Sequence, residues 1–405
     1  MVKNVVIVDS VRTAIGKLGG AMGNVTADYL GEYVIRELVK RTKVDPNTID
    51  EVIFGQAKQS ADISNIARVS SLRAGLPLSV PGYTLHRQCG SGLQAINNAV
   101  QQIQSENGEI LLVGGAESMS TAPYYVSGVR FGVRAGNVEL KDPNTASQPG
   151  SQPSEVYGED ITMGLTSDNV AKKYEFTREE QDAFALQSQE RAQKAIEEGL
   201  FKDQIVPVEV KERRKTVTFE VDEHPRQTSM EALAKLRPVF SENGTTTAGN
   251  ASGRNDGAAA LLVMSEDKAK ELGYTQGLRV IAQASAGVDP NTMGTGPIPA
   301  TKKALEKAGL TIEDIDVIEL NEAFAAQSLA FLKDFNLPYD SEKVNPNGGA
   351  IALGHPIGAT GAILMTKLMH ELQRTNKRYG LVTLCIAGGL GIATIVENVH
   401  FNESK

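Results

Sequence analysis

Apolar and polar positions along this chain alternate between two periods. Short apolar runs bounded by glycine or polar turns, such as IDEVIFGQA ending at Ala57, EILLVGGAES, DIDVIELNEA ending at Ala323 and GLVTLCIAGG, predict buried strands. Between them lie stretches of helical spacing. CGSGLQAINNAVQQI predicts an amphipathic helix behind a Gly-rich turn, and further helices end near Val39 and Leu305. TREEQDAFALQSQERAQKAIEEG adds a capping box from Thr177 to Glu180 and a terminating Gly199.

The pattern also repeats. Ala57 and Ala323 close similar phrases 266 residues apart, and the same step carries Cys89 of CGSG onto His355 of HPIG and Gly92 onto Gly358. Each half then reads as helix, short strand, Gly-rich turn, long helix and a strand running into Gly-Gly. Strands alternating with helices predict α/β units on mixed or parallel sheets, packed against shared central helices. The expected organisation is a first half over 1–119, completed by 251–275, and a second half over 276–405. The stretch 120–250 breaks the pattern with the loop-like SQPGSQPSEVYGED and is expected to be an insertion. Within it, KERRK at 211–215 predicts a solvated hairpin or strand end.

At 405 residues the chain exceeds what one core usually supports. A net charge of −8 with dispersed Lys and Arg argues against nucleic-acid binding, so a polyanionic ligand would need a local basic patch. Two cysteines, Cys89 and Cys385, exclude a disulfide framework and suit a reducing cytosol, although one bridge between them stays open. No apolar run approaches the ~18 to 20 residues of a membrane span. The start is not that of a signal peptide, and the ending NESK is not a peroxisomal address, so a cytoplasmic protein is expected. Five scattered histidines show no metal-ligand spacing.

Four residues stand where chemistry is expected. Cys89, at the mouth of a helix, should have a thiol made more acidic by the helix N-terminus; the competing reading is a small buried hydrophobe. His355 sits among glycines whose amides can approach a reacting carbonyl, or else caps the next helix. Cys385 ends an apolar strand before another Gly-rich turn, the usual place for site residues in α/β sheets. Asn321 follows an apolar strand between Glu319 and Glu322, with a helix cap as its plainer reading.

CGSGLQA, GGAESMS, NEAFAAQ, NGGAIALGHPIGATGA and CIAGGLG, in that order and register, resemble the thiolase family over essentially the whole chain. That resemblance implies a five-layered α-β-α-β-α sandwich with a loop domain inserted in its first half. It implies the reversible Claisen condensation of two acetyl-CoA to acetoacetyl-CoA and CoA, with no cofactor beyond the coenzyme A thioesters themselves. Cys89 is then the acylated nucleophile, His355 its base and part of an oxyanion site, and Cys385 the acid/base at the substrate α-carbon. Asn321 holds a water at the enolate, and the backbone amides of Cys89 and Ala387 bind the acyl oxygen. The family usually has glycine where this chain has Ala387, which a positive φ would strain by ~1 kcal/mol or more.

The same resemblance places coenzyme A against Met163, Arg226, Ser252, Met293, Ala323 and Phe324, with Arg254 and Thr162 as departures near the tunnel. Other readings on the same fold are a longer-chain 3-ketoacyl-CoA thiolase of β-oxidation and a non-catalytic acyl-CoA or lipid carrier. Condensing enzymes acting on carrier proteins use one cysteine with other bases, and Cys385 with NEAF argues against that class. The segment TAPYYVSGVRFGVRAGNVELKDP resembles the loop through which two thiolase dimers clasp, so a homotetramer is expected.

Overall fold

The computed structural model describes residues 3–159, 161–212 and 215–400. Its first half runs β1 (Val5–Thr13), α1 (Ala27–Thr42), β2 (Glu51–Gly55), α2 (Ile66–Arg73), β3 (Gly82–Leu85), α3 (Ser91–Gln104) and β4 (Ile110–Ser118). The stretch that follows carries α4 (Met163–Tyr174) and α5 (Arg178–Glu197), after which the chain enters β5 (Asn255–Ser265). The second half runs β6 (Gln276–Gly287), α6 (Pro297–Ala308), β7 (Val317–Leu320), α7 (Ala325–Asp334), α8 (Thr360–Thr375), β8 (Tyr379–Ile386) and β9 (Leu390–His400).

Strand order repeats the sequence repeat. In the first half β2, β4, β5 and β1 lie side by side, and in the second β7, β8, β9 and β6 do. Both begin with a parallel pair and continue antiparallel. A short β1/β6 ladder, Val6 opposite Arg279 and Ile7 opposite Leu278, joins the two sheets. β3 has only a vestige in the second half, a single parallel bridge from Val344 to Ile318.

Alternation along the strands then builds the layers, because successive side chains point to opposite faces. In β5, Ala259, Leu261 and Val263 enter the cluster between the sheets, while Ala260, Leu262 and Met264 enter the one under α1. In β9, Ile392 and Val396 face the centre, and Ala393 and Ile395 face α6 and α7. The centre itself is filled by α3 through Leu93, Ile96, Val100 and Ile103, and by α8 through Ile363, Met365, Leu368 and Leu372. Helix, sheet, paired central helices, sheet and helix follow one another, which is the five-layered α/β sandwich.

Local signals explain the element ends. Thr177 and Glu180 form both bonds of the capping box, and Gly199 takes φ +71 just past α5. The strands Val208–Glu212 and Lys215–Phe219 pair as a hairpin at the KERRK segment, of which Arg213 and Arg214 lie outside the described residues, as does the NESK terminus. No helix among the described residues is long and apolar enough to cross a membrane.

Candidate active site

The repeat positions the chemistry. Cys89 lies just before α3 and His355 in the turn before α8, the two helices that pack against each other at the centre of the sandwich. Both line one cleft. Around them stand Met163, Ser252, Met293, Ala323, Phe324 and Ala387. Cys385, fully buried at the end of β8, packs against Ala251, Met293, Ala323 and Phe324 immediately behind that wall. Asn321 is fully buried beside the same strand, its backbone N–H donating to Thr383 O at 3.0 Å.

His355 is held at two points. Its backbone N–H donates to Asn255 Oδ1 at 2.9 Å, and its Nδ1 meets Thr360 Oγ1 at 2.6 Å. The Thr360 hydroxyl donates its only proton to Pro356 O, so the ring must supply the proton to Thr360 and Nδ1 carries N–H. That leaves Nε2 as a bare acceptor, and it is buried without a partner. Burial, with the Lys58 ammonium second, lowers the imidazole from its ordinary 6.5 to about 4. The His355 ring is therefore neutral at physiological pH, and it caps no helix, since Ala359 precedes α8.

The expectation of an acidified Cys89 thiol needs correction. Burial pushes it up, and that outweighs the Ala387 N–H, the Lys58 ammonium and its own amide, all of which act in the other direction. The helix N-terminus two residues on does not overcome desolvation of the sulfur. Cys385 is likewise raised, first by burial and then by Cys89. Both cysteines are free thiols.

Ala387 is not strained: the positive φ values of this turn fall on Gly388 (+88) and Gly389 (+78). A Cβ on Gly389 would come within 2.3 Å of Val288 O, so glycine is required there and not at 387. The Ala387 amide faces the Cys89 sulfur. Asn321 is no helix cap either, since Phe324 occupies that place, and both its side-chain amide atoms are buried without a partner. Thr162 does cap, accepting from Leu165 N at the start of α4. Arg254 lines the cleft and pairs with Asp142 at 3.6 Å. Arg226 is outside the lining: it is exposed, and its guanidinium donates to Ala248 O at 2.9 Å.

Several supporting residues escaped the sequence reading. Glu117, at the end of β4, accepts from the amides of Ala57, Lys58 and Gly358 and so ties both halves together beneath the cleft. Glu322 accepts from Ser188, Asn345 and the Ile351 amide, and Glu319 pairs with Lys367 at 2.7 Å, so the acids flanking Asn321 brace the scaffold. Lys58 lines the cleft, nearly buried. Glu117 and Thr360 stood inside recognised phrases, but nothing in their spacing marks a carboxylate or hydroxyl as a brace.

The family called Thiolase, N-terminal domain matches residues 5–267, and Thiolase, C-terminal domain matches residues 275–398. The chain belongs to the thiolase family. An acetyl-CoA acetyltransferase of Syntrophomonas wolfei is 47% identical over 98% of this thiolase and 100% of that chain, and one of Escherichia coli is 49% identical over 98% and 100%. The crystal structure of the Bacillus anthracis acetyl-CoA acetyltransferase superposes with a TM-score of 0.94 at 48% identity, covering 98% of this thiolase and 99% of the other.

Proposed function

We propose that this thiolase is an acetyl-CoA C-acetyltransferase, interconverting two acetyl-CoA with acetoacetyl-CoA and CoA by a ping-pong cycle through S-acetyl-Cys89. The observation that carries the reading is Cys89 and a bare, neutral His355 Nε2 in one cleft, with Cys385 directly behind it. Like-named relatives that match end to end support the acetyl-CoA substrate.

In the first half-reaction Cys89 attacks the thioester carbonyl while its proton passes to His355 Nε2. The amides of Cys89 and Ala387 hold the oxyanion. CoA thiolate leaves and takes the Cys385 proton, which makes Cys385 an anion in a site that disfavours one and hence a strong base. In the second half-reaction Cys385 removes an α-proton from a new acetyl-CoA. The enolate oxygen is held by protonated His355 and by a water on Asn321, whose two orphaned amide atoms support that role. The enolate carbon attacks S-acetyl-Cys89, whose sulfur departs and recovers its proton from His355. Only coenzyme A thioesters are needed.

The pantetheine arm would run along Met163, Ser252, Met293, Ala323 and Phe324. Arg226, tethered four residues before Ser252, would meet the nucleotide end where the cleft opens. Two free cysteines, one of them the nucleophile, fit a cytoplasmic setting. An apolar projecting loop at 124–140 fits assembly into a tetramer.

The test is thiolysis of acetoacetyl-CoA beside 3-oxohexadecanoyl-CoA, with Cys89→Ala as control. Fast cleavage of the short substrate, abolished in the variant, is expected, with an acetyl adduct on Cys89 by mass spectrometry. Preference for the long substrate would move the protein to fatty-acid degradation. Tight binding without turnover would make it a carrier.

A further inference from the structure

Lys58 has no part in the cycle above, yet it occupies the cleft beside the residues that do. It lies three residues past the end of β2 and is only 7% exposed. Its ammonium has three N–H groups and donates to Ser147 Oγ. Among the described residues no carboxylate makes an ion pair with it. Glu117 attracts it from beyond ion-pairing distance, and that carboxylate accepts from three backbone amides. Burying a cation without an anion in contact is unfavourable, so a fold that keeps one there leaves it available to a charge that comes and goes.

The groups facing Lys58 can be named element by element. Cys89 from the mouth of α3, Arg254 from the approach to β5 and His355 from the second half line the same cleft as Lys58, and behind that lining the charges of Glu117 from β4 and Asp142 from the stretch after it also act on the ammonium. Asp142 is engaged with Arg254 and Glu117 with its amides. Among them only Cys89 gains a negative charge during the reaction, since His355 takes up a proton and becomes positive. We propose that Lys58 is the counter-ion of the Cys89 thiolate, holding the sulfur's charge once its proton has moved to His355. This rests on the thiolase reading and adds a positioning residue to it. The same ammonium opposes the burial that raises the thiol, and it disfavours a charged imidazole, so His355 stays an acceptor until substrate arrives.

The experiment is alkylation of Cys89 by iodoacetamide, followed by intact mass across about pH 5 to 10, with Cys89→Ala subtracting any reaction elsewhere. In Lys58→Met the ionisation midpoint should rise by about one unit or more, slowing alkylation near neutral pH roughly tenfold. Lys58→Arg should restore most of it. Lys58→Gln keeps a donor for Ser147 and repeats the measurement should the methionine variant not fold. A wild-type midpoint in either uncharged variant overturns the proposal, as does an equal shift in Lys58→Arg. So does a variant that keeps the wild-type midpoint but loses only carboxylate-bearing 3-oxoacyl thioesters, since Lys58 would then belong to the substrate. Alkylation requires no turnover, so a failure of the thiolase reading would show separately, as absent thiolysis by the wild type.

Discussion

At the scale of single residues the site is governed by burial. His355 shows it most simply: desolvation holds its imidazole at about 4 against an ordinary 6.5. The unfolded chain therefore binds a proton between those values that the folded protein refuses, and stability falls as the pH drops through 6.5 and levels off below about 4. The cost when fully developed is roughly 3 kcal/mol, at about 1.4 kcal/mol per unit. Urea unfolding of the wild type and His355→Asn at a series of pH values should show the wild type losing that much more stability over this window. Parallel curves would mean that the imidazole is not held neutral. The sequence made His355, Cys89, Cys385 and Asn321 legible because each falls at a strand end or helix mouth, the first three within Gly-rich phrases and Asn321 within NEAFAAQ. It misjudged the Cys89 thiol because a helix N-terminus is visible in one dimension and desolvation by β8 and its turn is not. Lys58 was invisible for the same reason: a lysine after a strand reads as solvated until its neighbours are known.

Elements are held to one another by a few buried polar groups, and Glu117 is the brace with the widest reach. Its carboxylate leaves β4 to take one amide from the turn into α8 and two from the end of β2. A glutamine would have to present an N–H to at least one of those donors. Glu117→Gln should therefore lose about 2 kcal/mol or more of stability, as hydrogen bonds to a buried charge typically do when removed. Thiolysis should fall with it, because the Gly358 turn carries His355. Urea midpoints and kcat/KM check this, and an unchanged midpoint would show that a neutral acceptor suffices. The turn has no room for a slacker arrangement, since a Cβ on Gly358 would lie 2.6 Å from Gln56 Cα. At this scale the sequence was informative wherever period and repeat agree. The 266-residue step recurs from Glu51 of β2 to Val317 of β7. It was silent on Pro143–Ala146 and Pro149–Ser151, helical turns too short to show a period, which with the residues between them nonetheless bring Asn144, Ser147, Gln148 and Ser151 to the cleft.

Across the whole molecule, one surface feature stands apart from a well-covered sandwich. The chain leaves the core after Ser120, meets itself again at Tyr125 and Lys141 through two backbone hydrogen bonds of 3.1 and 2.9 Å, and projects everything between as a closed loop. Phe131 at 99% exposure is the most extreme case, joined by Val133, Val138 and Leu140, with Tyr124 just before the closure. Aromatic and aliphatic side chains concentrated on one projection cost free energy in water, and such patches mark association surfaces. Homo-oligomers usually close by symmetry, so the same loop from a second copy is a natural cover. Phe131→Asp should therefore lower the mass measured by light scattering from that of a tetramer to that of a dimer. Phe131 lies far along the chain from Cys89, His355 and Cys385 and outside the cleft lining, so acetoacetyl-CoA thiolysis per subunit should persist. A wild-type dimer would remove the loop from the assembly, and a tetramer unchanged by the aspartate would place the contact on another face.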